Sequence, residues 1–249
     1  MGFASNRAFK VAGGAVFEKD GTPKAGLLRA MERAVEVQRP LVLANIRRLQ
    51  RKHPQATPAE LVSIIEKHYL ATVTGGGAAV GATAVVPAIG TMAALGLSAA
   101  ATVGFLEATA LFAQSVAELH GVQLEDPERS RTMVMAIMLG EEGTAMMQSV
   151  AGRGAKPWAS SLGGMSSGVM GSVGSSIRRQ FTKRIIARQG TAMLGRALPL
   201  GVGAVIGGAG NHAMGKGVIK TARKAFGPAP ESIPGELAED LAKLPDSDS

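Results

Sequence analysis

Residues 68–106 read HYLATVTGGGAAVGATAVVPAIGTMAALGLSAAATVGFL, 39 positions without a fixed charge between Lys67 and Glu107. A helix with one face in water carries charge on that face, so a run this long is either buried in a core or enters a bilayer as a hairpin. Pro87, Ala88, Ile89 and Gly90 break it near the middle and leave arms 71–86 and 90–106 of 16 and 17 residues. At about 1.5 Å per residue each arm is roughly 25 Å long, against a hydrocarbon core of about 30 Å. Full spanning is marginal, and the arms lack the Leu, Ile and Phe density of ordinary spans. The expectation is a hairpin, 71–119, that packs internally or dips into the cytoplasmic leaflet.

The arms are patterned with small residues. Gly77, Gly81 and Val85 recur at four-residue spacing, as do Gly90, Ala94, Ser98 and Thr102, and Gly96, Ala100, Gly104 and Ala108. A fourth such row, Gly203, Gly207, Asn211 and Gly215, lies further along the chain. Rows of this kind let helix backbones approach closely, with Asn211 able to hydrogen-bond across the contact. Leucine at Gly81 or Gly104 is therefore expected to cost about 1 to 3 kcal/mol through overpacking.

Around the hairpin the chain reads as helices. Pro23 to Gln38 and Leu41 to Lys52 are amphipathic, with stops near Pro40 and at His53-Pro54. Thr57, Pro58 and Glu60 form a capping box with proline in the first turn, and Asp126, Pro127 and Glu128 repeat the N-terminal chemistry ahead of a Met-rich segment, Met133 to Met147. Gly121 is placed to cap the helix ending at His120. Gly152 to Gly174 reads as loop or weak helix, Ile177 to Arg188 as a basic helix, and a second basic helix ends near Phe226. With 46% hydrophobic but only 4% aromatic residues, the composition favours close helix packing over a strand-rich sandwich. The expected fold is all-α, a single helical domain over 21–227 around the glycine- and alanine-rich hairpin, with a flexible arm at 1–20 and an acidic tail at 228–249 that need not fold.

Charge is unevenly spread. Residues 1–67 carry +6, 68–155 carry −4, 156–224 hold eleven Lys or Arg and no acid, and the rest carries −5. Such a basic block attracts phosphate-bearing surfaces. Scarce aromatics and glycine-rich apolar runs between the basic residues argue for lipid and against nucleic acid. The proposed contact comprises Arg178, Arg179, Lys183, Arg184 and Arg188 with Lys216, Lys220, Arg223 and Lys224, and Ile177, Phe181 and Ile185 supply an apolar edge for shallow insertion.

Catalytic signatures fail on inspection. Gly210 to Lys216 approximates a phosphate-binding loop, but Gly217 stands where a Ser or Thr must hold magnesium. Gly208 to Ala213 mimics a dinucleotide fingerprint without a surrounding βαβ unit. The chain has no cysteine, and His53, His68, His120 and His212 lack metal-ligand spacing, so no metal, cofactor or disulfide framework is expected. Glu107, Glu118 and Glu141 remain as carboxylates for a hydrolase of lipid-like substrates, weighed against ion pairing with the basic helices. The apolar run Val11 to Phe17 is cut short by Glu18, Lys19 and Asp20, unlike a secretory leader.

The order of capped helix, glycine hairpin, ELHGVQLEDPERS (118–130), LGEEG (139–143), GRALPLGVGAVIGGAGN (195–211) and a basic last helix resembles the EcsC family over roughly residues 20–228. The resemblance implies a bacterial helical protein placed beside an ABC-transporter system, and it carries over no catalytic residue. The expectation is a non-catalytic, amphitropic accessory at the inner face of the cell membrane, partnered by anionic lipid or a transporter. The alternatives are the carboxylate hydrolase and a soluble carrier of a lipid-like ligand.

Overall fold

The computed structural model describes residues 24–83, 91–152, 157–194 and 202–244, with side chains at 24–79, 99–152, 157–185 and 207–244. These residues form nine α-helices, a short 3₁₀ turn at Ala159–Ser161 and no strand, an all-α fold around one contiguous core. Helix α1 (Ala25–Ala34) buries Leu27, Met31 and Ala34, a stripe at helical period. Helix α2 (Arg39–Lys52) takes Pro40 into its first turn, buries Val42, Leu43, Ile46 and Leu49, and ends at His53 ahead of Pro54.

The capping box opens α3 (Pro58–Thr83). The Thr57 amide donates to Glu60 Oε2 at 2.8 Å, and the Glu60 amide donates to Thr57 Oγ1 at 3.3 Å. These bonds hold the Glu60 carboxyl below its ordinary range. Leu61, Ile65, Tyr69, Val73 and Gly77 then form one buried row at four-residue spacing. Helix α4 (Thr91–Leu119) is the central element: every residue from Phe112 to Leu119 is buried, so that end packs on all sides. It ends at Gly121, whose φ of +71° is the left-handed cap.

The two arms pack on each other, but the more extensive partner of α3 is α8 (Val202–Phe226). A Cβ on Gly77 would stand 2.5 Å from the Gly207 carbonyl oxygen and 2.6 Å from Asn211 Nδ2, and Asn211 donates to the Val73 carbonyl at 3.0 Å. Gly215 leaves room for Leu70 and Val73 in the same seam. The expected role of Gly104 is corrected: among the described residues nothing lies within 4 Å of where its Cβ would stand. The packing expectations at Gly81, Gly90, Gly96 and Gly203 fall outside the described side chains.

Three further readings change. The Met-rich helix is divided at Gly140 (φ +72°) into α5 (Pro127–Leu139) and α6 (Glu141–Ala151), and Gly143 sits so close that a Cβ would lie 2.1 Å from the Ala136 carbonyl. The glycine- and serine-rich stretch is helical from Ser167, because Met170, Val173, Ile177 and Phe181 give α7 (Ser167–Leu194) a continuous stripe against α5. The acidic tail carries a helix as well. Helix α9 (Gly235–Lys243) buries Leu237 and Leu241 and docks on α2. Arg47 donates to the Leu241 carbonyl at 3.1 Å, and Asp240 pairs with Arg39 at 2.9 Å. The hydrogen bond from Arg39, aided by Lys243, holds the Asp240 carboxyl below its ordinary range. The 1–20 arm lies outside the described residues.

Candidate functional site

Packing α1 and α2 across one face of the α3–α4 pair leaves a groove of about 760 Å³. Its floor is apolar: Leu49 from α2, Ile65 and Tyr69 from α3, Phe112 from α4. Leu41, 61% exposed, stands at the lip, and Gly104 contributes no side chain to the wall. The Tyr69 and Phe112 rings stack with centroids 4.6 Å apart. Thr109 donates to the Phe105 carbonyl at 2.7 Å, so the Tyr69 hydroxyl is the donor in its 2.9 Å bond to Thr109 Oγ1. Burial pushes the Tyr69 phenol far above its ordinary pKa, so it stays neutral. The rim is polar, with Arg33, Glu36, Arg48, His68 and Glu107. Glu36 is paired with Arg131 of α5.

The three candidate carboxylates are not brought together in this groove. Glu107 lines it, but Glu118 is buried and held by Arg39, with Nε to Oε1 at 2.7 Å and Nη2 to Oε2 at 3.1 Å. That hydrogen bond is the main cause of a raised Arg39 pKa. Glu141 is exposed and pairs with Lys224, whose hydrogen bond and charge hold its carboxyl below the ordinary range. Among the described residues no group of three or more His, Cys, Asp and Glu side chains is placed to hold a metal ion.

The basic block is divided by its partners. Arg223 pairs with buried Glu66 of α3 and Lys224 with Glu141, while Arg184 donates to the Leu139 carbonyl at 2.7 Å and so caps α5. The α6 N-terminus, with Glu141 and with Glu142 bonded to Gln180, stands between the two basic helices. Arg178, Arg179 and Lys183 on α7 and Lys216 and Lys220 on α8 remain exposed. Lys220 acts on Glu141 through its charge alone, and Arg188 falls outside the described side chains. The apolar edge expected to enter lipid is corrected: Ile177 and Phe181 are buried and Ile185 packs against the core, because α7 turns that stripe onto α5.

No protein-family model, curated protein or solved structure matches this chain. The stretch Ala99–Leu119 is long and apolar enough to cross a membrane, yet a little over half of it is buried inside the fold, as in the core helix of a globular protein. The groove has no signature in the sequence, since its lining comes from four helices and its polar rim is scattered from Arg33 to Glu107.

Proposed function

We propose that the chain is a non-catalytic accessory of the EcsC type that works at the anionic inner face of the cell membrane, beside a transporter or other membrane protein. The observation that carries this reading is the exposed trio Arg178, Arg179 and Lys183, on a helix that contains no acid. Each cation near anionic lipid contributes about 1 kcal/mol, so three give about 3 kcal/mol, roughly a hundredfold enrichment at the surface. With its apolar stripe committed to the core, α7 holds a surface by charge rather than by insertion. Binding of the whole chain to vesicles of phosphatidylcholine with phosphatidylserine should weaken steeply with salt, and should fall at least tenfold in R178Q/R179Q/K183Q. Equal binding of parent and triple variant at low salt sinks the reading.

The groove favours a second reading, carriage of a lipid-like ligand. Its volume lies within the roughly 300–1,000 Å³ of small-molecule sites, and its apolar floor and polar rim suit one chain with a polar head. The hydrolase alternative has no comparable support, since Glu118 and Glu141 are committed to Arg39 and Lys224.

A further inference from the structure

The floor of the large groove suits hydrocarbon. Leu49, Ile65 and Phe112 are apolar, and the Tyr69 hydroxyl is committed to Thr109. Recognition of a polar head is left to the rim, where charge is unbalanced. Glu36 is neutralised by Arg131, which comes from α5. Among the described residues Arg33, Arg48 and Glu107 form no ion pair, and all three are exposed. The rim thus sets two uncompensated arginines against one glutamate, and His68 adds to the positive side when protonated.

Arg48 is also held in place. Its Nη2 donates to Asn45 Oδ1 at 3.0 Å, and Asn45 Nδ2 donates to the hydroxyl of buried Ser115 at 3.3 Å. Asn45 itself lines the groove, so this relay ties the guanidinium to the groove edge. A neutral amide fixes position without cancelling charge, and most of the guanidinium N–H groups stay free for another acceptor. Two parallel N–H groups on one planar cation match the two oxygens of a carboxylate. We propose that the groove binds a long-chain carboxylate, its hydrocarbon laid over Tyr69 and Phe112 and its head against Arg48, with Arg33 adding a second positive charge. A monoanion offsets the excess cation of the rim, whereas a zwitterion leaves it in place. The proposal rests on the carriage reading of this groove and is independent of the basic face of α7.

The test is a fluorescence titration of the full chain with cis-parinaric acid and with its methyl ester, at about pH 8, where the acid is ionised. An apolar groove alone favours the more hydrophobic ester. The acid should instead bind about tenfold more tightly, the worth of one hydrogen bond to a charged group. In R33Q/R48Q that preference should vanish while ester binding holds, and in R178Q/R179Q/K183Q it should persist. Ester binding as tight as acid binding in the parent would overturn the proposal and leave carriage standing. Failure of both probes to bind would remove carriage and the proposal together. An acid preference that survives R33Q/R48Q, or disappears in the α7 triple variant, puts the head elsewhere and overturns the proposal too. So would oleoyl lysophosphatidylcholine, a zwitterion, displacing the acid as effectively as oleate does. Should R33Q/R48Q fail to fold, the parent's ratio of acid to ester affinity and this competition decide alone.

Discussion

Gly77 and Gly104 belong to the same kind of small-residue row, yet they sit in opposite surroundings. Around Gly77 the backbone of α8 is so near that a Cβ would meet the Gly207 carbonyl at 2.5 Å, whereas Gly104 lines the groove and none of the described residues comes within 4 Å of its Cβ position. The difference lies in the partner. Opposite Gly77, α8 presents Gly207, Gly208 and Asn211, and a second small row is what lets two backbones close. Opposite Gly104 stand α1 and α2, whose stripes of Leu, Met, Val and Ile keep the helices apart and leave a cavity between them. A small-residue row marks a seam only where another row faces it.

The strongest way to break this contrast is Gly77→Leu. No rotamer removes the clash, because the Cβ itself meets backbone oxygen at 2.5 Å and the Asn211 amide at 2.6 Å. Either α8 shifts or Asn211 gives up the Val73 carbonyl. The expected loss is about 3 kcal/mol, the upper end of ordinary overpacking, read from urea unfolding at constant slope. A loss under about 1 kcal/mol would mean the seam yields easily and is no tighter than the groove side.

Tyr69→Phe sharpens the comparison at the residue where the two regions meet. The ring floors the groove against Phe112, and its Cε1 lies 3.6 Å from where a Cβ on Gly215 would stand in the seam. Phenylalanine keeps both contacts and removes only the hydroxyl that donates to Thr109, while Thr109 keeps its bond to the Phe105 carbonyl. The expected cost is about 1 kcal/mol, the net worth of one buried hydrogen bond. A cost near 3 kcal/mol would show that the hydroxyl holds the seam rather than the floor.

Features set by neighbours along the chain are legible in the sequence itself. Thr57 and Glu60 close their box within three residues, Asp126 takes the Glu128 amide two residues on, and Gly121 caps α4 beside the residues it serves. Features set by distant partners are not. The tail forms its helix because Leu237 and Leu241 find the core and because Arg39 and Arg47, nearly two hundred residues earlier, hold Asp240 and the Leu241 carbonyl. The basic block reads as eleven like charges in the sequence, yet Glu66 and Glu141 reach it from α3 and α6. Likewise the amphipathic stripe of α7 is visible in the spacing of its apolar residues, but only packing against α5 says which of its faces meets solvent.

Gly104→Leu carries the smallest expected change in stability and the opposite sign. Glycine in an exposed helix costs about 1 kcal/mol relative to a strong helix former, and among the described residues nothing lies within 4 Å of the Cβ while the rest of the side chain has the groove to enter, so leucine should stabilise the fold by roughly 0.5 to 1 kcal/mol. The same side chain would project into the groove beside Ala108 and Leu111 and occupy space that an acyl chain would need. Binding of cis-parinaric acid, whose fluorescence rises in an apolar site, should therefore fall in a variant at least as stable as the parent. Destabilisation comparable to that of Gly77→Leu would mean that the groove closes in solution, which removes the contrast between the two glycines. Greater stability with undiminished binding would keep the contrast and move the lipid-like ligand elsewhere, because a filled groove cannot also hold the chain.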